Sequence, residues 1–395
     1  MDKSGRLLSL DALRGATIAA MIVVNTPGSW SAIYPPLRHA DWHGLTPTDL
    51  VFPFFLFIVG VSIALAYGKT LNAGADLRPV RRKILIRSAK IFAVGVFLNL
   101  WPEFAFDEIR IAGVLQRIAI VFAVAALLFV HLRWRALAGI TAAILLGYWG
   151  LLTLVPVPRD GVNAQALASG QIERAHGTIV NVDITARNNG AIAPNLEPGT
   201  NLAAWFDRKF LPGSFYESTW DPEGWLSTVP SLATTLLGIL TGVLLGKRTV
   251  PRARFLALAG GGLGCLVVGY GWSLTFPLNK NLWTSSFVLV SAGWSLLAFA
   301  LTMGWVEGRG QTRWLFPGLV FGANAITAYV LAGMLTTITH RDWLMGFSPV
   351  DYFMNTLDLL GFSPELASLC FALTYTGMIF VPVWMLYQRR IYIRL

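Results

Sequence analysis

Apolar runs of helix length, separated by short polar or basic connections, recur along almost the whole chain. They fall at 13–34, 47–67, 84–101, 111–130, 134–155, 228–245, 255–276, 282–305, 315–338 and 364–386. Each approaches the roughly 20 apolar residues that a helix needs to cross a hydrocarbon core. In lipid, only helices and closed barrels satisfy every backbone polar group, and runs this long suit helices. The pattern predicts an all-α integral membrane protein of about ten transmembrane helices. It forms a single domain over residues 1–395, with one long outer polar loop at 156–225. The first run lacks a small-residue cleavage site and continues into an aromatic polar loop, so it reads as a retained helix rather than a signal peptide.

Composition sharpens this picture. With 55% hydrophobic and 13% charged residues, the chain has too little polar surface to coat a water-soluble globule. The net charge of +10 gathers in alternate connections, notably Arg78, Arg81, Arg82, Lys83, Arg87 and Lys90, then Lys247, Arg252 and Arg254. Lys and Arg are enriched in cytoplasmic loops, which puts both termini in the cytoplasm. The cations then meet anionic lipid, and nucleic acid is not needed to explain them. Closely spaced guanidinium groups in RPVRRKILIR can also grip phosphates. Cys265 and Cys370 both fall in predicted spans and imply no disulfide framework.

Polar groups inside apolar runs are costly and tend to face a bundle interior or a water-filled cavity. Asn25, Gln116, Arg117 and Asn324 are such groups. Asn25 and Asn324 read equally well as interhelical hydrogen-bond glue, and Arg117 as a partner for Glu103, Asp107 or Glu108. Their placement on the outer halves of separate helices suggests one cavity. At the outer mouth stands RHADWHGLTPTD, which holds His39, Asp41, His43 and Asp49. Thr46-Pro47-Thr48-Asp49 has the spacing of a capping box, although the carboxylate could also orient a nearby histidine. His39, Asp41 and His43 alternate in spacing, but no HExxH pair or Cys set accompanies them, and no metal site is predicted. The stretch WFDRKFLPGSFYESTWDPEGW in the long loop mixes aromatic and charged residues, which suits a lid facing sugar rings.

The order LSLDALRG, Asn25, HADWHGLTPTDLVFPFFLFIVGVSI, RIAGVLQRI, DPEGWLSTVPSL, LNKNLW and GANAITAYV resembles the transmembrane domain of the heparan-alpha-glucosaminide N-acetyltransferase family and its bacterial relatives. The resemblance implies an acyltransferase that moves acetyl from cytoplasmic acetyl-CoA to the amino group of a glucosamine-type sugar across the membrane. It implies a bacterial inner-membrane location and a homodimer. Its catalytic histidine, helix-one asparagine and helix-two acid are similar to His39, Asn25 and Asp49. Arg14, Arg78, Arg81, Arg82 and Arg117 are expected to bind the donor. Trp42, Asp221, Glu223, Asn279, Lys280, Asn281, Trp283 and Asn324 are expected to bind the acceptor. A rival of another class is an amino-sugar permease that transfers nothing.

The chemistry suits these residues. A neutral imidazole, with an ordinary pKa of about 6.5, is a suitable base for the attacking amine. An amide N–H₂ such as that of Asn25 can donate to the developing oxyanion, and Asp49 can hold the imidazole tautomer. A covalent acetyl-His39 route stays equally open. The CoA phosphates call for cations at the cytoplasmic mouth, although Arg14 also stands three residues after Asp11 and could pair with it.

Overall fold

A computed structural model describes residues 7–72, 76–162, 171–173, 179–181, 186–187, 191–247, 250–308, 310, 313–342, 346 and 348–393. Thirteen α-helices lie among them. They are α1 (Leu8–Asn25), α2 (Val51–Asn72), α3 (Leu77–Leu100), α4 (Val114–His131), α5 (Trp134–Leu154), α6 (Leu202–Phe210), α7 (Trp225–Lys247), α8 (Pro251–Ser273), α9 (Ser285–Met303), α10 (Phe316–Ala323), α11 (Ala325–Thr339), α12 (Pro349–Leu359) and α13 (Pro364–Gln388). The all-α membrane architecture expected from the hydrophobic pattern is what the chain adopts.

Among the described residues, eight helices are long and apolar enough to cross a membrane: α1, α2 with the turn before it, α4, α5, α7, α8, α9 with the turn after it, and α13. Three of the expected runs are corrected. The run at 84–101 belongs to the 24-residue α3, which carries Arg78, Arg81, Arg82, Lys83, Arg87 and Lys90 and is free of charge only beyond Lys90. The length therefore suffices, but the apolar half alone is too short to span. The run at 315–338 is not one helix: it breaks at Asn324 into α10 and α11, which meet at 85°. The run at 13–34 is shifted toward the N-terminus, so that Asp11 is buried inside α1 and Asn25 ends it. The 25–37 segment, with Pro27, Pro35 and Pro36, leaves the helix for a loop and a 3₁₀ turn at Pro35–Leu37.

Small residues let these helices approach closely, the usual device where lipid supplies no hydrophobic drive between spans. A Cβ on Gly15 would lie 1.7 Å from the carbonyl oxygen of Gly318, and one on Gly60 would lie 2.0 Å from that of Thr235. Thus α1 is pressed against α10 and α2 against α7. Their shared core is built from Ile18, Phe52, Leu56, Ile118, Trp283, Phe287, Phe321 and Tyr375.

Helix ends that carry the basic connections gather at one end of the bundle. There Ser9 donates from its backbone N–H and its hydroxyl to Glu307 Oε1, at 3.3 and 2.9 Å. At the opposite end, loops 26–50, 101–113, 155–224 and 274–284 meet. Short antiparallel strands β1 (Val157–Pro158), β2 (Gln171–Glu173), β3 (Ile179–Asn181), β4 (Ala186–Arg187) and β5 (Ala191–Ile192) form two small sheets, ordered β1-β5-β4 and β2-β3. Strand β1 packs against α6, whose N-terminus is capped by Asn201 accepting from the Ala204 N–H at 2.9 Å.

Candidate active site at the mouth of the bundle

Loop 34–47 is folded around one carboxylate. Asp49 is 1% exposed, and its Oδ2 accepts from the Ala40 N–H at 3.1 Å and from the Thr46 N–H and hydroxyl at 3.0 Å each. Its Oδ1 lies 2.7 Å from His39 Nδ1. Half of the expected capping box forms: the acid receives the Thr46 N–H, but the Thr46 hydroxyl also donates to the acid, where a full box would have it accept a backbone N–H. Cap and histidine holder are therefore one side chain. Since three donors already occupy Oδ2, Oδ1 is the acceptor that requires a proton on His39 Nδ1, which leaves Nε2 as the basic nitrogen.

The second wall is the turn at 274–284. Asn279, fully buried, accepts the Leu282 N–H through Oδ1 at 2.8 Å and stands 3.3 Å from His43 Nδ1 through Nδ2. The Gly44 N–H donates to the Leu278 carbonyl at 2.8 Å, which locks this turn to loop 34–47. Gly44 sits at φ 130°, a conformation that side-chain-bearing residues rarely adopt. Lys280 is thereby delivered to His39, with its Nζ 3.2 Å from Nε2 and 3.3 Å from Nδ1. Burial is the main cause holding the His39 pKa below its ordinary value, and the Lys280 charge adds to it; the Asp49 hydrogen bond works in the other direction. Burial likewise lowers the Lys280 ammonium, against the pull of Asp49 and Glu223. Burial and the neighbouring ammonium thus favour the uncharged imidazole, against the pull of Asp49.

A strap at 216–228 closes the site. Arg110 donates through Nε to Asp221 Oδ2 at 2.8 Å and through Nη2 to Asp221 Oδ1 and Glu223 Oε2 at 2.7 Å each. Burial alone would lower the Arg110 pKa, but these two carboxylates raise it above its ordinary value. Each Asp221 oxygen also accepts a backbone N–H, from Glu223 at 2.9 Å and from Tyr216 at 3.1 Å. Asp207 accepts from the Trp225 N–H at 2.8 Å at the start of α7, and burial pushes its carboxyl up to about 7.

The expected site residues are not all brought together. His39, Asp49 and Lys280 meet, with Glu223 nearby. Asn25 closes α1 with an exposed side chain at the same end, and among the described residues no hydrogen bond joins it to His39. Trp42 is not an open sugar platform. It is 5% exposed, donates to the Leu196 carbonyl at 2.8 Å and packs edge-on against Trp220 at 5.1 Å, pinning the long loop to the mouth. Asp221 has both oxygens doubly engaged, and so leaves no acceptor for a ligand. Asn279 is engaged by its own turn and by His43. Asn281 lines a cleft with Asn201, Asp207, Trp220 and Ser227. Trp283 is fully buried, donates to Thr234 Oγ1 at 3.1 Å and packs against Phe52 and Phe287. Asn324 is corrected too. Its Nδ2 donates to the Ile391 carbonyl at 3.1 Å and its Oδ1 accepts the Ile393 N–H at 2.9 Å, so it clamps the C-terminal tail at the break between α10 and α11.

The donor set divides as well. Arg78, Arg81 and Arg82 are exposed on the first turns of α3, at the basic end. Arg14, near that end, reaches Asp11 at 3.3 Å and donates to Ser62 Oγ at 2.7 Å. Arg117 sits at the other end, 1% exposed, and its guanidinium lies 5.2 Å from the centre of the Trp283 ring. It donates to the Pro222 and Gly224 carbonyls and to Ser227 and Thr228, not to Glu103, Asp107 or Glu108. Glu103 instead pairs with Arg341. Among the described residues, no group of three or more His, Cys, Asp or Glu side chains stands close enough to hold a metal ion.

Asp49→Asn is expected to lower both the melting temperature and the reactivity of His39. The amide would turn a donor toward either His39 or the Ala40 and Thr46 donors, and one mismatched buried hydrogen bond costs about 1–3 kcal/mol. Thermal unfolding in detergent and peptide-resolved labelling of His39 check this. A variant unchanged in both would remove the dual role.

Fold and site define a multi-pass helical membrane protein with a carboxylate–imidazole–ammonium row, its carboxylate buried, at one end of its bundle. Residues 6–168 match the family described as heparan-alpha-glucosaminide N-acetyltransferase, catalytic, so the resemblance carried by the sequence motifs is borne out. The human protein named heparan-alpha-glucosaminide N-acetyltransferase is 29% identical over 379 residues, covering 82% of this chain and 52% of its own. The mouse protein of the same name is 27% identical over 384 residues, covering 83% and 53%. The chain thus spans about half the length of these curated relatives.

Proposed function

We propose that the protein is a transmembrane N-acetyltransferase that passes acetyl from acetyl-CoA, supplied at the basic end, to the amino group of a glucosamine-type sugar at the loop end. The observation that carries this reading is the His39–Asp49 pair at 2.7 Å, which lies within the segment matched by the catalytic family. The basic end is the cytoplasmic one by the distribution of Lys and Arg, and the exposed Arg78, Arg81 and Arg82 offer cations to the CoA phosphates there.

In this mechanism the amine nitrogen attacks the thioester carbonyl carbon as His39 Nε2 takes its proton. The C–S bond then breaks, the amide forms and CoA leaves as the thiol after gaining a proton. Asp49 keeps the proton on Nδ1, so that Nε2 is the base throughout. Asn25, open at the end of α1, is the donor assigned to the oxyanion.

The test is purified protein in detergent with labelled acetyl-CoA and a panel of amino sugars. Acetylated sugar and free CoA in equal amounts are expected. Uptake of an amino sugar into proteoliposomes, with no transfer to any acceptor, would replace this reading with a permease.

A further inference from the structure

Lys280 occupies an unusual place for a residue whose task is only to bind a sugar hydroxyl. Its Nζ lies within 3.3 Å of both ring nitrogens of His39, on a turn fixed by Asn279 and by the Gly44–Leu278 hydrogen bond. An ammonium has only donors to offer, and His39 Nδ1 already faces Asp49 Oδ1. The one acceptor left on the ring is Nε2.

We propose that Lys280 is a positioning residue: its ammonium, seated against the ring of His39 beside Asp49, holds the imidazole as the uncharged Nδ1–H tautomer with Nε2 as hydrogen-bond acceptor. The inference rests on His39 being the reactive base of the proposed transfer. A second cation at about 3 Å from an ammonium is strongly disfavoured, so Lys280 opposes protonation of His39 while Asp49 favours it. The other charges facing this pair are Glu223, on the strap before α7, and Arg117, from α4. Arg110 donates to Glu223 at 2.7 Å and offsets part of its charge, so Glu223 does not replace Lys280 in setting the balance at the ring.

The experiment follows modification of His39 by diethylpyrocarbonate, which reacts with the uncharged imidazole, in detergent-purified protein from roughly pH 5 to 9, around the ordinary histidine range. Peptide mass spectrometry reads His39 and, as an internal reference, the exposed His131 at the far end of α4. Lys280→Met should move the His39 midpoint up by about one pH unit, the scale of a neighbouring charge. Lys280→Arg should leave it near the parent value, and His131 should not move in either variant. If Lys280→Met proves unstable, Lys280→Gln carries the same test. A His39 midpoint that is unchanged or lower without the lysine charge would overturn the proposal. Acetyl transfer by the same preparations separates the two readings. Loss of the charge should shift the acid limb of the rate profile upward, whereas a parent protein with no transferase activity would remove the proposed function and leave the labelling result to decide the role of Lys280.

Discussion

His39→Ala is expected to reduce acetyl transfer by about 10²–10⁴-fold, the usual loss when a positioned general base is removed. The fold should survive. The His39 side chain is 34% exposed, and Asp49 keeps the Ala40 and Thr46 donors that fold loop 34–47 without it. His43→Ala serves as the comparison, because His43 is exposed and meets the rim of the same turn through Asn279. Its effect on turnover should be several-fold at most. Rates measured at saturating donor, with thermal unfolding of each variant, test the pair. A folded His39→Ala protein that acetylates glucosamine near the parent rate would exclude His39 as the base.

The second large effect is expected at Arg110. Its guanidinium is the shared partner of Asp221, fully buried at its side chain, and of Glu223, 13% exposed. Arg110→Ala would leave both carboxylates without that partner, and breaking a buried ion pair from one side costs about 3–5 kcal/mol. The result should be a large drop in melting temperature in detergent, with the strap at 216–228 becoming sensitive to protease. Adding Asp221→Asn to Arg110→Ala should recover part of the loss, because the stranded charge is then gone. An Arg110→Ala protein that melts with the parent would show that the triad is dispensable and that other contacts hold the strap.

Most of the helices were legible because their signal is local. A run of some twenty apolar residues commits its own backbone to internal hydrogen bonding whatever lies beside it, as in α4, α5 and α8. The exceptions share a cause. The 315–338 run has the composition of a span, yet Asn324 turns its amide to backbone groups at Ile391 and Ile393, almost seventy residues away, and the helix breaks there. The run at 84–101 has the length of a span, but Arg87 and Lys90 fall inside it and Arg78, Arg81, Arg82 and Lys83 occupy the turns before it on the same α3.

The motif around His39 was legible in the same local sense, since Asp49 stands ten residues on and folds that loop directly. Local spacing could not assign roles to the other polar and aromatic candidates, because a buried side chain's role depends on who meets it. Trp42 turned inward to Trp220, Trp283 went under Arg117, and Asp221 was consumed by Arg110, all through contacts more than 100 residues apart in sequence. LNKNLW marked Lys280 as part of the site, but only the docking of loop 274–284 on loop 34–47 set its ammonium against the imidazole. Membrane-spanning helices can thus be read from composition over twenty residues. The protonation and reach of a catalytic group are set by charges that the folded chain carries in from elsewhere.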